Sequence, residues 1–186
     1  MFIQTETTPN PETLKFIPGC SVLGSGTAQY EDGDPVHSSP LAERLFQVNG
    51  IKRVFFGSDF ITLTKNEGQD WTVLKPGLLA IIMEHFTNGQ PVVIDDGPGA
   101  AQTDDNGEDS ELVTQIKELL DTRIRPAVAQ DGGDIEFGDF NKGTLYLHMR
   151  GACAGCPSST ATLKAGIENM MRYYIPEVQD VQPIES

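Results

Sequence analysis

One stretch of the chain decides its architecture before any other. From Asp95 to Ser110 it reads DDGPGAAQTDDNGEDS, with six acids, no base, three glycines and nothing bulkier than glutamine. Such a run has no apolar surface to bury and cannot offset the entropy lost on ordering. It reads as a flexible acidic linker over 95–110. A module of residues 1–94 precedes it and one of residues 111–186 follows, each large enough to fold around a small core of its own.

The 186 residues carry 27 acids against 13 bases, a formal charge of −14. That charge repels phosphate backbones and anionic lipid, so neither nucleic acid nor a membrane surface is an expected partner. No apolar run approaches the roughly 20 residues needed to span a bilayer. The start MFIQTETTPNP lacks the basic and apolar segments of a secretory signal and the Arg- and Ser-rich character of a transit peptide. The expectation is a soluble, unexported protein, cytoplasmic in a bacterium, or in the mitochondrial matrix if the chain is a processed mature form. Three cysteines, at 20, 153 and 156, do not make a disulfide framework, and reduced thiols are the simpler expectation.

In the first module, strands are expected at Phe2–Glu6, Thr13–Ile17, Ala28–Glu31, Ile51–Phe56 and Phe60–Lys65, with Gly57-Ser58-Asp59 as a hairpin loop. Ser38 or Ser39 can cap a helix that has Pro40 at its first position and Leu41, Leu45 and Phe46 inward. Pro76 should open a second helix with Leu78, Leu79, Ile82, His85 and Phe86 on its apolar face, closed by Asn88-Gly89. No nucleotide loop, catalytic motif or metal spacing occurs here.

The second module begins with a helix from about Glu111, striped by Leu112, Ile116, Leu119 and Leu120, which Pro126 should stop. Ile135 and Phe137 mark a strand, and Asn141-Lys142-Gly143 a tight connection. The returning strand Thr144–Arg150 alternates, with Leu145, Leu147 and Met149 on one face and Tyr146, His148 and Arg150 on the other. A helix from Pro157 to about Tyr174 should bury Leu163, Ile167, Met170, Met171 and Tyr174, and Val178–Gln182 can add a last strand. The fold class expected is α+β: two small modules of sheet covered by helices, joined by the linker.

The segment GACAGCPSST puts Cys153 and Cys156 in a glycine-containing loop between strand and helix, with Pro157 at the first helical position. Unpaired N–H groups and the helix dipole there favour anionic sulfur, so both thiols are expected to ionise more easily than an ordinary cysteine. Taken alone the C-x-x-C suits a redox dithiol, half a zinc site or an iron–sulfur site. A closed zinc site or a four-iron cluster needs about four protein ligands, and this module offers two cysteines. A metal site must therefore recruit histidine, Cys20 or another subunit, and two-fold pairing of identical loops yields four thiolates directly.

Asp131-Gly132-Gly133-Asp134 followed by Gly151-Ala152-Cys153-Ala154-Gly155-Cys156-Pro157-Ser158-Ser159 resembles the signature of the NifU C-terminal, or Nfu, domain family of iron–sulfur carriers. The opening TPNPETLKF is similar to the Nfu N-terminal domain. The resemblance covers nearly all of the chain outside the linker, with no departure at the cysteines or the Asp-Gly-Gly-Asp turn. It implies a non-enzymatic scaffold or carrier that binds a labile [4Fe-4S] cluster on Cys153 and Cys156 of two subunits. A homodimer would accept the cluster from assembly machinery and deliver it to apo-proteins. A thioredoxin-like dithiol oxidoreductase is the alternative, and a structural zinc dimer a third reading.

Other candidates read as structural. Cys20 is remote in sequence and is expected to be a packed or incidental thiol. His85 reads as core and His37 as loop, while His148 is a minor candidate donor to sulfur or metal. Arg150 is expected in an exposed cross-strand pair. Asp131 and Asp134 are expected to serve turn and cap around two glycines of positive φ. Ser158, Ser159 and Thr160 read as helix-start residues.

Overall fold

The computed structural model describes residues 2–94, 111–154 and 157–184. The chain divides into two compact units, Met1–Gln102 and Thr103–Ser186, both α+β. The expected linker lies outside the described residues.

Unit 1 is a five-stranded antiparallel sheet built from β1 (Gln4–Thr7), β2 (Thr13–Ile17), β3 (Ala28–Glu31), β4 (Ile51–Phe56) and β5 (Ile61–Lys65). Their spatial order is β1-β2-β5-β4-β3. Leu14 and Phe16, Val54 and Phe56, and Ile61 and Leu63 alternate onto one face and form a core with the two helices. Helix α1 (Pro40–Phe46) starts as expected: the Ala42 N–H donates to Ser39 Oγ at 3.1 Å, and the same hydroxyl donates to Val92 O at 2.6 Å.

Helix α2 (Trp71–Thr87) differs from the sequence expectation, since Pro76 lies inside it rather than opening it. The start is set upstream. Asp70 Oδ1 accepts from the Thr72 N–H at 2.9 Å, and the Trp71 indole donates to Pro11 O at 3.3 Å, which adds five residues before the proline. The carbonyl that Pro76 leaves without a helical donor is that of Thr72, in the exposed first turn where water can satisfy it. Leu74, Leu78, Ile82 and His85 form the buried face.

Unit 2 pairs β6 (Gly133–Asn141) and β7 (Thr144–Gly151) as an antiparallel hairpin, with β8 (Asp180–Ile184) parallel to β7. The last strand sits two residues later than expected. Leu145, Leu147 and Met149 face a core shared with Ile135, Ile116, Leu120, Ile124, Val128, Ile167 and Met171. Helix α5 spans Pro157–Tyr174, as expected. Its buried line is Ile167 and Met171, continued by Ile175 just beyond the helix, with Leu163 partly covered. Met170 and Tyr174 are exposed, because steps of four residues keep one line on the core and positions three apart fall to its side.

Pro126 does not stop the first helix. α3 (Glu111–Leu119) passes through a π-helical turn (Leu120–Ile124) into α4 (Arg125–Gln130), with Pro126 as the second residue of α4. The Arg125 N–H reaches back five positions to Leu120 O. The wider turn absorbs the donor that proline lacks and lets the apolar stripe continue through Ile124 and Val128.

Candidate functional site

The loop after β7 is stitched to the Asp131-Gly132-Gly133-Asp134 turn. Gly151 pairs with Gly133 at the end of the hairpin and has φ of +62°, which turns the chain out of the strand. The Ala152 N–H then donates to Gly132 O at 3.1 Å, and the Ala154 N–H to Gly151 O at 3.2 Å. The two pieces of the sequence motif are thus one local structure.

Cys153 lies in that loop, only 5% exposed, packed into the core of unit 2. A methyl group on Gly133 would be driven into Cys153 Sγ, and would lie 3.0 Å from Arg150 O and 3.1 Å from the Cys153 nitrogen. The expectation that both turn glycines take positive φ is therefore corrected. Gly132 does, at +80°, whereas Gly133 is needed for space against the sulfur.

Asp134 also departs from its expected role as a turn or cap residue. Its side chain is buried, 6% exposed, and the carboxylate accepts both arms of the Arg125 fork, Nε to Oδ1 and Nη2 to Oδ2, each at 2.9 Å. Arg125 Nη1 donates to Asp121 Oδ1 at 3.0 Å as well. These carboxylates hold the Arg125 proton more tightly than usual against the opposing effect of burial. Asp131 does end a helix: it is the C-terminal cap of α4, its N–H donating to Val128 O.

The thiol of Cys153 behaves opposite to expectation. Burial, and then the negative charges of Asp131 and Asp134, push it up to about 12. At neutral pH it is held as the protonated thiol, a poor nucleophile, and any metal binding there would require an incoming cation to displace the proton. Cys156 lies outside the described residues, as do the side chains of Ser158, Ser159 and Thr160.

Among the remaining candidates, Arg150 makes the expected cross-strand pair, with Glu136 at 2.9 Å, but partly buried rather than exposed. His148 stands opposite Glu136 on the sheet face away from the core. Cys20, half-buried, belongs to unit 1. His85 is fully buried, and neither ring nitrogen has a hydrogen-bond partner in good geometry. Burial, and then the Arg44 charge, lower its proton affinity. Among the described residues, no three His, Cys, Asp or Glu side chains come together as a metal site. Arg125 is the residue that sequence reasoning missed. Its partner is nine positions away, beyond α4 and the Gly132-Gly133 turn, and Arg125 itself follows a π turn that no periodicity announces.

The chain matches two family models, "Scaffold protein Nfu/NifU N terminal" over residues 3–89 and "NifU-like domain" over residues 116–182. It is 54% identical over 185 residues to the mitochondrial NFU1 iron-sulfur cluster scaffold homolog of Drosophila sechellia, a match covering 99% of this chain and 65% of that protein. The corresponding Drosophila erecta protein is 52% identical with the same coverage. The chain thus spans just under two thirds of the length of these relatives. Among solved structures, the NifU-like protein of Saccharomyces cerevisiae, determined by NMR, is 27% identical with a TM-score of 0.47, over 50% of this chain and 84% of that one.

Proposed function

This chain belongs to the Nfu/NifU family, and from that premise we propose that it is a non-enzymatic iron–sulfur scaffold or carrier. Its cargo is a [4Fe-4S] cluster bridged between two copies. Cys153 and Cys156 of each subunit supply the four thiolates, in a cluster domain spanning 111–186. Assembly proteins donate the cluster and apo-proteins receive it. The names of the relatives favour a mitochondrial location over a bacterial cytoplasm.

The observation that carries this reading is the stitching of the Cys153 loop to the Asp-Gly-Gly-Asp turn through Ala152 and Gly133. One ligand is held on ordered backbone while one chain's pair supplies only two of the roughly four ligands needed, so the site is completed by a second copy. A cluster held between subunits loses half its ligands when the dimer opens, which makes it transferable. A buried thiol beside two carboxylates is badly suited to attack a disulfide, and this weighs against the oxidoreductase alternative.

The test is anaerobic reconstitution of the chain with iron and sulfide, followed by iron, acid-labile sulfide and zinc per chain together with native mass. About four iron and four sulfide per dimer are expected, and their loss in Cys153→Ser and in Cys156→Ser. A metal-free monomer that reversibly forms a disulfide would overturn the reading, and zinc without sulfide would replace it with the structural zinc dimer.

The division into 1–94, an acidic tether over 95–110 and 111–186 belongs to the same proposal. The first module captures recipients and the tether raises the local concentration of cluster domain. Removing residues 1–94 should slow transfer while leaving loading intact, and unchanged transfer rates would remove this part.

A further inference from the structure

We propose that Arg125 is a positioning residue for the cluster ligand Cys153, acting through the Asp134 carboxylate and the backbone of Gly133. The inference rests on Cys153 being a ligand, as proposed above.

The chain of contacts is short. The Arg125 fork grips both oxygens of Asp134 at 2.9 Å. Asp134 is bonded to Gly133, whose Cα leaves no room for a methyl beside the Cys153 sulfur. Gly132, one residue earlier, accepts from the Ala152 N–H. A shift of the turn therefore moves the surface against which the sulfur rests and the backbone from which its loop hangs.

The fold gives Arg125 a defined origin for this grip. It directly follows the π turn, where its own N–H is bonded to Leu120 O, and Asp121 of the same turn braces a third guanidinium nitrogen. A bidentate fork fixes direction as well as distance, which a lysine ammonium does not. An ion pair with one partner buried and the other about a third exposed contributes little net stability. Its use here is to specify one arrangement of the turn. Residues that orient a metal ligand from behind typically change metal affinity by about 10-fold to 100-fold when replaced.

The experiment uses the full chain and three variants, Arg125→Lys, Asp134→Asn and Gly133→Ala. Arg125→Lys keeps the positive charge, so a change there reports the lost fork. Gly133→Ala displaces the sulfur while leaving both clasp residues in place. In the unloaded chains, alkylation is followed site by site by mass spectrometry, with Cys20 as the internal reference. Cys153 is expected to react several-fold faster in all three variants while Cys20 is unchanged. In the loaded chains, cluster loss to an iron(II) chelator is expected to be about 10-fold faster, with an altered visible circular dichroism spectrum, a signature of ligand geometry that a loss of stability alone does not produce.

Wild-type Cys153 alkylation rates in both Arg125→Lys and Asp134→Asn would overturn the proposal. So would an unchanged visible spectrum and chelation rate in Arg125→Lys. If the wild-type chain takes up no iron and sulfide, the carrier reading falls. The alkylation comparison still decides whether Arg125 places Cys153.

Discussion

The two units solve the same packing problem with different regularity. Unit 1 lays five antiparallel strands under two helices, with Phe16, Phe55 and Phe56 fully buried, and its positive-φ glycines lie in connecting loops. Unit 2 has three strands, and several of its irregular features lie along the path to one sulfur: Gly132 and Gly151 at positive φ, and the partly buried Arg125–Asp134 pair that follows the π turn, while Lys142 and Gly143 at positive φ turn the far end of the hairpin. Even the helical prolines differ. Pro76 leaves its missing bond in an exposed first turn, whereas Pro126 is accommodated by rewinding the helix. Regular packing suffices where burial is the only requirement, and local strain is retained where a side chain has to be placed.

The contrast can be broken most severely from the burial side. Phe16→Ala should destabilise unit 1 by about 3–5 kcal/mol, read as lost hydrogen-exchange protection in β2 and β5. Uptake of iron and sulfide is expected to survive, and its loss would erase the distinction between the unit held by burial and the unit proposed to hold the cluster. Gly132→Ala places a β-carbon at a φ of +80° and should weaken unit 2 by about 1–2 kcal/mol, seen as a lower denaturation midpoint of the β6–β7 amides. An unchanged midpoint would mean the turn relaxes without strain.

A smaller effect sharpens the description of unit 1. His85 binds its proton less readily in the folded chain, so between its lowered value and the ordinary value near 6.5 the unfolded chain holds more protons. Stability is therefore fully present above about pH 6.5 and is lost as the pH falls towards the lowered value. Thermal midpoints of unit 1 compared between about pH 7.5 and about pH 5.5 should show a drop that His85→Leu reduces; an identical drop in the variant would assign the dependence elsewhere. Least of all, Glu168→Ala removes the 2.7 Å pair with Arg172 on the surface of α5 and should change unit 2 by no more than about 0.5 kcal/mol. A larger loss would mean that surface charge contributes to unit 2 as strongly as its core does.

Much of the fold was legible because it is written in local patterns. The strands at Thr13, Ala28 and Ile51, the Ser39-Pro40 helix start and the alternation of Thr144–Arg150 each follow from nearest-neighbour chemistry that tertiary contacts reinforce. The prolines misled for a physical reason. A proline forbids one hydrogen bond, but whether a helix ends there depends on a distant anchor, as with Trp71 and Pro11, or on a turn geometry that relocates the bond, as at Leu120–Ile124. Met170 and Tyr174 were misplaced because hydrophobicity says that a residue can be buried, and only the packed partner says which line of the helix will be.

By itself the sequence determined that two modules flank an acidic run, that the second carries a C-x-x-C beside an Asp-Gly-Gly-Asp turn, and that two cysteines are too few for a closed site. Tertiary structure alone decided the state of the Cys153 sulfur. Loop composition and the coming helix argued for a thiolate, but burial and two carboxylates brought close by the hairpin argue more strongly for the thiol, since desolvation and like charge act through space. The same folding turned Asp134 from a turn residue into the anchor for Arg125, because a bidentate pair forms only when the start of the helix and the start of the strand are folded so that two guanidinium nitrogens come to 2.9 Å from the two carboxylate oxygens.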